Sequence, residues 1–164
     1  MHQEMGLKYN TPFVDVWISN PNYLNILRHL FEIDFHNIKE VNKELFTTNG
    51  GVIIPSDYKT FPVVNLDDIA IIQAIHYRSF TEFRSKWHRR VDRMNFHKLL
   101  IKFSDYDGEL NEFQSLNLSD PKIVYAQSEI DLGENSLVLV RPNFDDGVDD
   151  RFIKTDVEDF INKL

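Results

Sequence analysis

Apolar and polar positions along this chain repeat with two different periods, and each change of period marks an element. FVDVWIS (Phe13–Ser19) is rich in β-branched and aromatic residues and lies between Pro12 and Pro21, which predicts a strand. PNYLNILRHLFEI then sets Tyr23, Leu27, Leu30 and Phe31 at helical spacing behind Asn20 as cap, with Pro21 at the first helical position. Residues 37–46 follow neither period, TTNGG reads as a turn, and GVIIP is a short apolar segment whose closing Pro55 suits an edge strand. Phe61–Tyr77 (FPVVNLDDIAIIQAIHY) divides into two strand-like pieces around Asn65–Asp68, the second, IAIIQAIHY, suited to a buried strand. After a helix at Ser79–Asn95 come a strand in HKLLIKFSD, a short helix in GELNEFQSLN, strands in KIVYAQS and SLVLVRP, and a final helix in DVEDFINKL capped by Thr155. Strands alternating with helices predict a layered α/β domain, with a mostly parallel or mixed sheet flanked by helices, within a single domain spanning the chain.

The Ser79–Asn95 segment, SFTEFRSKWHRRVDRMN, carries the clearest signals. Ser79 and Glu82 stand at the spacing of a capping box. At about 100° per residue, Phe80, Phe83, Val91 and Met94 fall within about 40° of Trp87 and form a stripe for burial. Lys86, Arg89, Arg90 and Arg93 share one flank, while Arg84 and His88 occupy the other. Two readings fit that flank. Cations near a helix C-terminus complement its dipole by roughly 0.3–1 kcal/mol each, and Glu82–Lys86 is an ordinary stabilising pair. Against this, Lys86/Arg90 and Arg89/Arg93 are like-charge pairs one turn apart, each costing roughly 0.2–0.5 kcal/mol. Arginine offers a planar fork matched to phosphate or carboxylate, so the second reading is an anion site.

Charge distribution sharpens the contrast. The 164 residues carry a net charge of −8, which argues against general binding to nucleic acid or anionic lipid. Between Arg78 and Lys98, however, lie seven of the 18 Lys and Arg but only two of the 26 acids, so this segment carries +5 and the remainder −13. A local basic patch on an acidic chain points to a discrete anionic ligand. A composition of 42% hydrophobic residues with 13 Phe supports a packed core, and the absence of cysteine removes disulfides, thiolate metal sites and a cysteine nucleophile within the chain. The longest apolar run is too short for a membrane span, and the first residues lack the apolar core of a signal peptide, so the expected location is cytoplasmic.

LKYNTPFVDVWIS (Leu7–Ser19), FPVVNLDDIAIIQAIHYRSFTEFRSKWHRRVDRMNF (Phe61–Phe96) and KFSDYDGELNEF (Lys102–Phe113) together resemble a bacterial family of unknown function associated with exopolysaccharide and capsular polysaccharide biosynthesis. The most specific stretch is His76, Tyr77, Trp87, Arg89, Arg90 and Arg93. The resemblance implies work on a surface glycan or its activated precursor, either as a transferase moving an acyl or other group to a sugar or as a non-catalytic module binding an anionic glycan or phosphorylated sugar precursor. It also implies partner proteins of polysaccharide synthesis. Family members carry a further N-terminal strand ending in an Asn-Asn-Cys-Trp-Gly-Gly-like turn, absent from this sequence, which predicts a shortened homologue or a fragment. The candidate ligand-binding residues are Tyr77, Arg78, Arg84, Arg89, Arg90 and Arg93. His76, at the end of its predicted strand, is the candidate general base, since ligands in open α/β sheets gather at the carboxyl ends of strands. The alternative for His76 is a purely structural imidazole.

Other clusters carry weaker signals. In SDYDGE, Asp107 directly precedes Gly108, so Asp105 and Asp107 miss the spacing of a calcium-binding EF-hand loop and read as a turn with acids at a helix start. FDDGVDD (Phe144–Asp150) reads as a solvated turn. Histidines 2, 29, 36, 88 and 97 have no metal-motif spacing, and Walker, GxGxxG and GxSxG motifs are missing, so neither a metal nor a cofactor is expected.

Overall fold

The computed structural model describes residues 11–41, 61–105, 108–116, 118–140 and 150–163, with side chains of the last segment from residue 156. Its helices and two small sheets, one antiparallel and one parallel, make an α/β fold. The chain gathers into two compact units, His2–Asn95 and Phe96–Leu164.

The first unit contains α1 (Asn20–Arg28), β1 (Ile38–Glu40), β2 (Val63–Leu66), β3 (Ala70–Gln73) and α2 (Phe80–Val91). Its antiparallel sheet has the order β1-β2-β3, with Val64 facing Glu40 on one side and Ile72 on the other. The two strand-like pieces of Phe61–Tyr77 are therefore a hairpin. Its turn, Leu66–Ile69, closes with the Ile69 amide on the Leu66 carbonyl at 2.9 Å, and both central residues are left-handed, Asp67 at φ 50° and Asp68 at φ 56°. Aspartate tolerates that region better than most residues because its short polar side chain bonds locally. The Asp67 carboxylate accepts from the Asp34 amide at 2.9 Å and the Asn37 side chain at 2.6 Å, fastening the turn to the segment that leads into β1.

Phe13–Ser19 is not a strand. Its one ladder contact is Trp17 with Gln73, where each amide bonds the other's carbonyl at 2.8 and 2.9 Å. Pro12 starts a tight turn (Val14 amide to Pro12 carbonyl, 2.9 Å), and Asp15 at φ 60° turns the backbone out of the extended region. Helix α1 is capped at Ser19 rather than Asn20 and ends at Arg28, five residues before the predicted limit, which leaves Phe31 73% exposed. Asn22 reaches from α1 to accept the Ile71 amide at 2.8 Å. The unit's core holds Leu24, Ile26, Val63, Val64, Leu66, Ile72, Phe83 and Trp87, all essentially without solvent contact. Phe13 stands edge-on to Tyr23, Phe35 and Trp87, the nearest ring centroid 5.4 Å away.

The second unit contains β4 (Ile101–Ser104), α3 (Leu110–Ser115), β5 (Lys122–Ala126), β6 (Ser136–Val140) and α4 (Asp150–Lys163). Its sheet is parallel throughout in the order β4-β5-β6. Central β5 is buried at every position, as a strand covered on both faces requires. Residues 127–135 make the β5–β6 crossover without a helix, and α4 begins at Asp150, so Thr155 lies inside the helix rather than at its cap. The predicted TTNGG turn, GVIIP strand and most of FDDGVDD lie outside the described residues.

Candidate functional site

Helix α2 is built as its sequence dictates. The Ser79 hydroxyl accepts the Glu82 amide at 3.2 Å, while the Glu82 carboxylate accepts the Arg78 amide at 3.3 Å, one residue ahead of the cap position expected of a capping box. Phe83, Trp87 and Val91 are buried, and the Trp87 indole donates to the Phe35 carbonyl at 2.7 Å. The helix stops at Val91, four residues short of Asn95. The Arg93 and Met94 amides fall back to three-residue turns on Arg90 and Val91, so Arg93 lies just past the helix.

The basic flank separates into two kinds of cation. Lys86 bonds Glu82 at 2.7 Å and stands 5.3 Å from the Tyr77 ring centroid. Arg90 donates to the Tyr77 hydroxyl at 2.5 Å and to the Val14 carbonyl at 3.3 Å, and the Tyr77 hydroxyl donates to that same carbonyl at 3.0 Å. Tyr77 is only 4% exposed. These two cations and Tyr77 thus form a polar clamp that ties the Pro12–Trp17 loop to α2. Lys86 is also the main reason the Glu82 carboxyl titrates below its usual range, with the Arg78 amide adding to the effect.

Arg89 and Arg93 stand apart. Both are exposed, and neither makes an ion pair or side-chain hydrogen bond among the described residues. The acid between them in sequence, Asp92, is turned to His36, with its Oδ1 3.3 Å from His36 Nε2. The His36 ring also meets His88 edge-on at 5.0 Å, and His88 Nε2 is buried with no hydrogen-bond partner. The His88–Asp92 spacing of one helical turn was the available sequence signal for this cluster; the approach of His36 from the β1 side was not legible. Among the described residues no three His, Cys, Asp or Glu side chains are gathered to hold a metal ion.

Arg78 and Arg84 are exposed, Arg84 on the opposite flank from Arg93. His76 is exposed in the turn after β3, which ends at Gln73. Because β3 belongs to the antiparallel sheet, the rule that ligands gather at the carboxyl ends of parallel strands gives His76 no support. The carboxyl end of a parallel strand is instead occupied by Asp105, which follows β4, is 6% exposed and has an unpartnered Oδ1. Asp107 lies outside the described residues.

Structure and site together define an α/β protein presenting, at the end of a clamped basic helix, two arginines without side-chain partners among the described residues. The chain belongs to the family described as domain of unknown function DUF1919, whose model matches residues 1–159. A search of curated proteins gives no match to this chain. Among the described residues no helix is long and apolar enough to cross a membrane.

Proposed function

We propose that the chain is a binding module for an anionic glycan or phosphorylated sugar precursor in bacterial exopolysaccharide or capsule synthesis, with Arg89 and Arg93 as the principal anion contacts. The observation that carries this reading is that neither has a side-chain partner among the described residues, beside an Asp92 that is engaged elsewhere. Two guanidinium forks about one turn apart suit the oxygens of a phosphate or carboxylate, and charge-assisted bonds of this kind are roughly twice as strong as neutral ones. Lys86 and Arg90 contribute less, since the Lys86 charge is neutralised by Glu82 and the Arg90 guanidinium is anchored through Nη1 to Tyr77 and Val14. Arg78 and Arg84 widen the positive field.

A second reading, group transfer to a sugar with His76 as general base, is favoured by one observation: an exposed imidazole next in sequence to the clamped Tyr77. Calorimetry with sugar 1-phosphates, nucleotide sugars, acyl-CoA and an anionic glycan separates the two. The binding reading expects affinity for at least one phosphorylated sugar, a loss of more than about tenfold (~1.4 kcal/mol) in the double variant Arg89→Glu/Arg93→Glu, and little change in His76→Ala. Turnover of a donor that His76→Ala abolishes would establish the transferase instead. No binding by correctly folded protein would remove both.

A further inference from the structure

The second unit contains a cleft of about 210 Å³ that the arginine site does not involve, lined by Phe113, Gln114, Leu118, Lys122, Asp131 and Leu132. Its distinctive member is Lys122, the first residue of the buried strand β5. Lysine is almost never buried without a counter-charge, yet Lys122 is 9% exposed. Its ammonium donates to the Leu118 carbonyl at 2.8 Å, and it makes no ion pair among the described residues. An ammonium has three donors. Among the described residues, one neutral carbonyl therefore leaves two N–H groups and a positive charge without a counter-ion beside the cleft.

Across the lining, Asp131 is held in place. Its Oδ1 accepts the Gly133 amide at 2.9 Å in a turn that needs the left-handed φ of 85° at Gly133. Asp131 and Lys122 make no ion pair with each other, so the cleft carries one charge of each sign, with the Gln114 amide and three apolar side chains completing it. We infer that this cleft binds a small carboxylate that also bears a hydroxyl or ammonium group. The carboxylate would sit on Lys122 and the donor group on the free oxygen of Asp131. Size and charge narrow the class. A water takes about 30 Å³ in the liquid, so the space equals roughly seven waters: enough for a short hydroxy or amino acid, and below the ~300 Å³ at which drug-sized ligand pockets begin. Inorganic phosphate would bring a double negative charge against Asp131 and is disfavoured.

Amide-resolved NMR of the full chain, titrated separately with glycolate, L-serine, acetate and inorganic phosphate, tests this. Glycolate and L-serine should shift the amides of Gln114, Leu118, Leu132 and Gly133, with acetate and phosphate at least several-fold weaker. Lys122→Met should weaken serine binding tenfold or more, Lys122→Arg should retain it, and Asp131→Asn should erase the preference for serine over acetate. Should Lys122→Met not fold, Gln114→Leu on the exposed face of α3 is expected to weaken binding several-fold. Arg89→Glu/Arg93→Glu should leave these shifts intact, which keeps the outcome separate from that of the arginine site. The inference is overturned if none of the four probes moves these amides at roughly 50 mM, well beyond the ~1 mM of weak binding. Preference for phosphate, or loss of the shifts in the arginine double variant, would overturn it equally.

Discussion

Val14 offers its carbonyl to two side chains, the Tyr77 hydroxyl and the Arg90 guanidinium, where a strand residue would have offered it to a neighbouring backbone. A half-buried carbonyl still needs a donor, and here one of the two, Arg90, is a residue that a helix wheel groups with a binding face. Arg90, like Lys86, is thus a structural cation on a flank where Arg89 and Arg93 have no side-chain partner among the described residues. Asp67 shows the same economy at the hairpin: one carboxylate satisfies the Asp34 amide and the Asn37 side chain. Those bonds, the Asp34 amide first, hold its pKa below the ordinary 3.8. The folded state therefore prefers the ionised form. The resulting stabilisation is complete above the unfolded value and is lost as pH falls through the folded one. Asp67→Asn keeps a residue that tolerates left-handed φ and removes the charge. The stability gap between wild type and this variant, from urea unfolding, should be constant near neutrality and shrink below about pH 4. A gap that widens in acid would contradict the bonding described.

Helix α2 is the element whose sequence said most about its structure. Ser79 as cap and Phe83, Trp87 and Val91 as buried stripe were legible because cap chemistry and 3.6-residue periodicity are local properties. Ser79→Ala should therefore lower stability by about 1 kcal/mol, read as a reduced urea midpoint with unchanged slope. What misled was also local. FVDVWIS has the composition of a strand, but composition does not register the turn after Pro12 or the left-handed Asp15. The Asn20 cap, the end of α1 and the position of Thr155 were missed by a few residues, the usual uncertainty of helix ends. IAIIQAIHY was read as one strand, whereas pairing with β2 ends at Gln73 and leaves His76 in a turn. For the site, the sequence identified the cations but not their partners. Nothing between Lys86 and Arg93 distinguishes Arg90, held by Val14, from Arg89, held by none of the described residues, because the difference lies 76 positions away in the chain. Lys122 gave no signal either: a lysine opening a strand is ordinary until its burial is known.

For the molecule as a whole, an acidic chain of net charge −8 carries a segment of +5. The attraction that brings an anion to Arg89 and Arg93 must therefore come from the local +5 of that segment rather than from the net charge. Raising salt from roughly 0.1 M to roughly 1 M contracts the Debye length from about 10 Å to about 3 Å. Affinity for a phosphorylated sugar should fall several-fold across that range in calorimetric titrations, since both arginines are exposed. Indifference to salt would argue against an arginine-held anion. The fold also contains a feature with meaning beyond ligand binding. Among the described residues β3 lies at the margin of its sheet, where unused N–H and C=O groups ordinarily invite another chain. Here Trp17 takes both backbone groups of Gln73, and Asn22 takes the Ile71 amide. A segment from another molecule would have to displace both before it could pair along that margin. The irregular loop that is not a strand and one asparagine of α1 thus guard the sheet against growth into a fibril by this route, and weakening either would expose an adhesive edge.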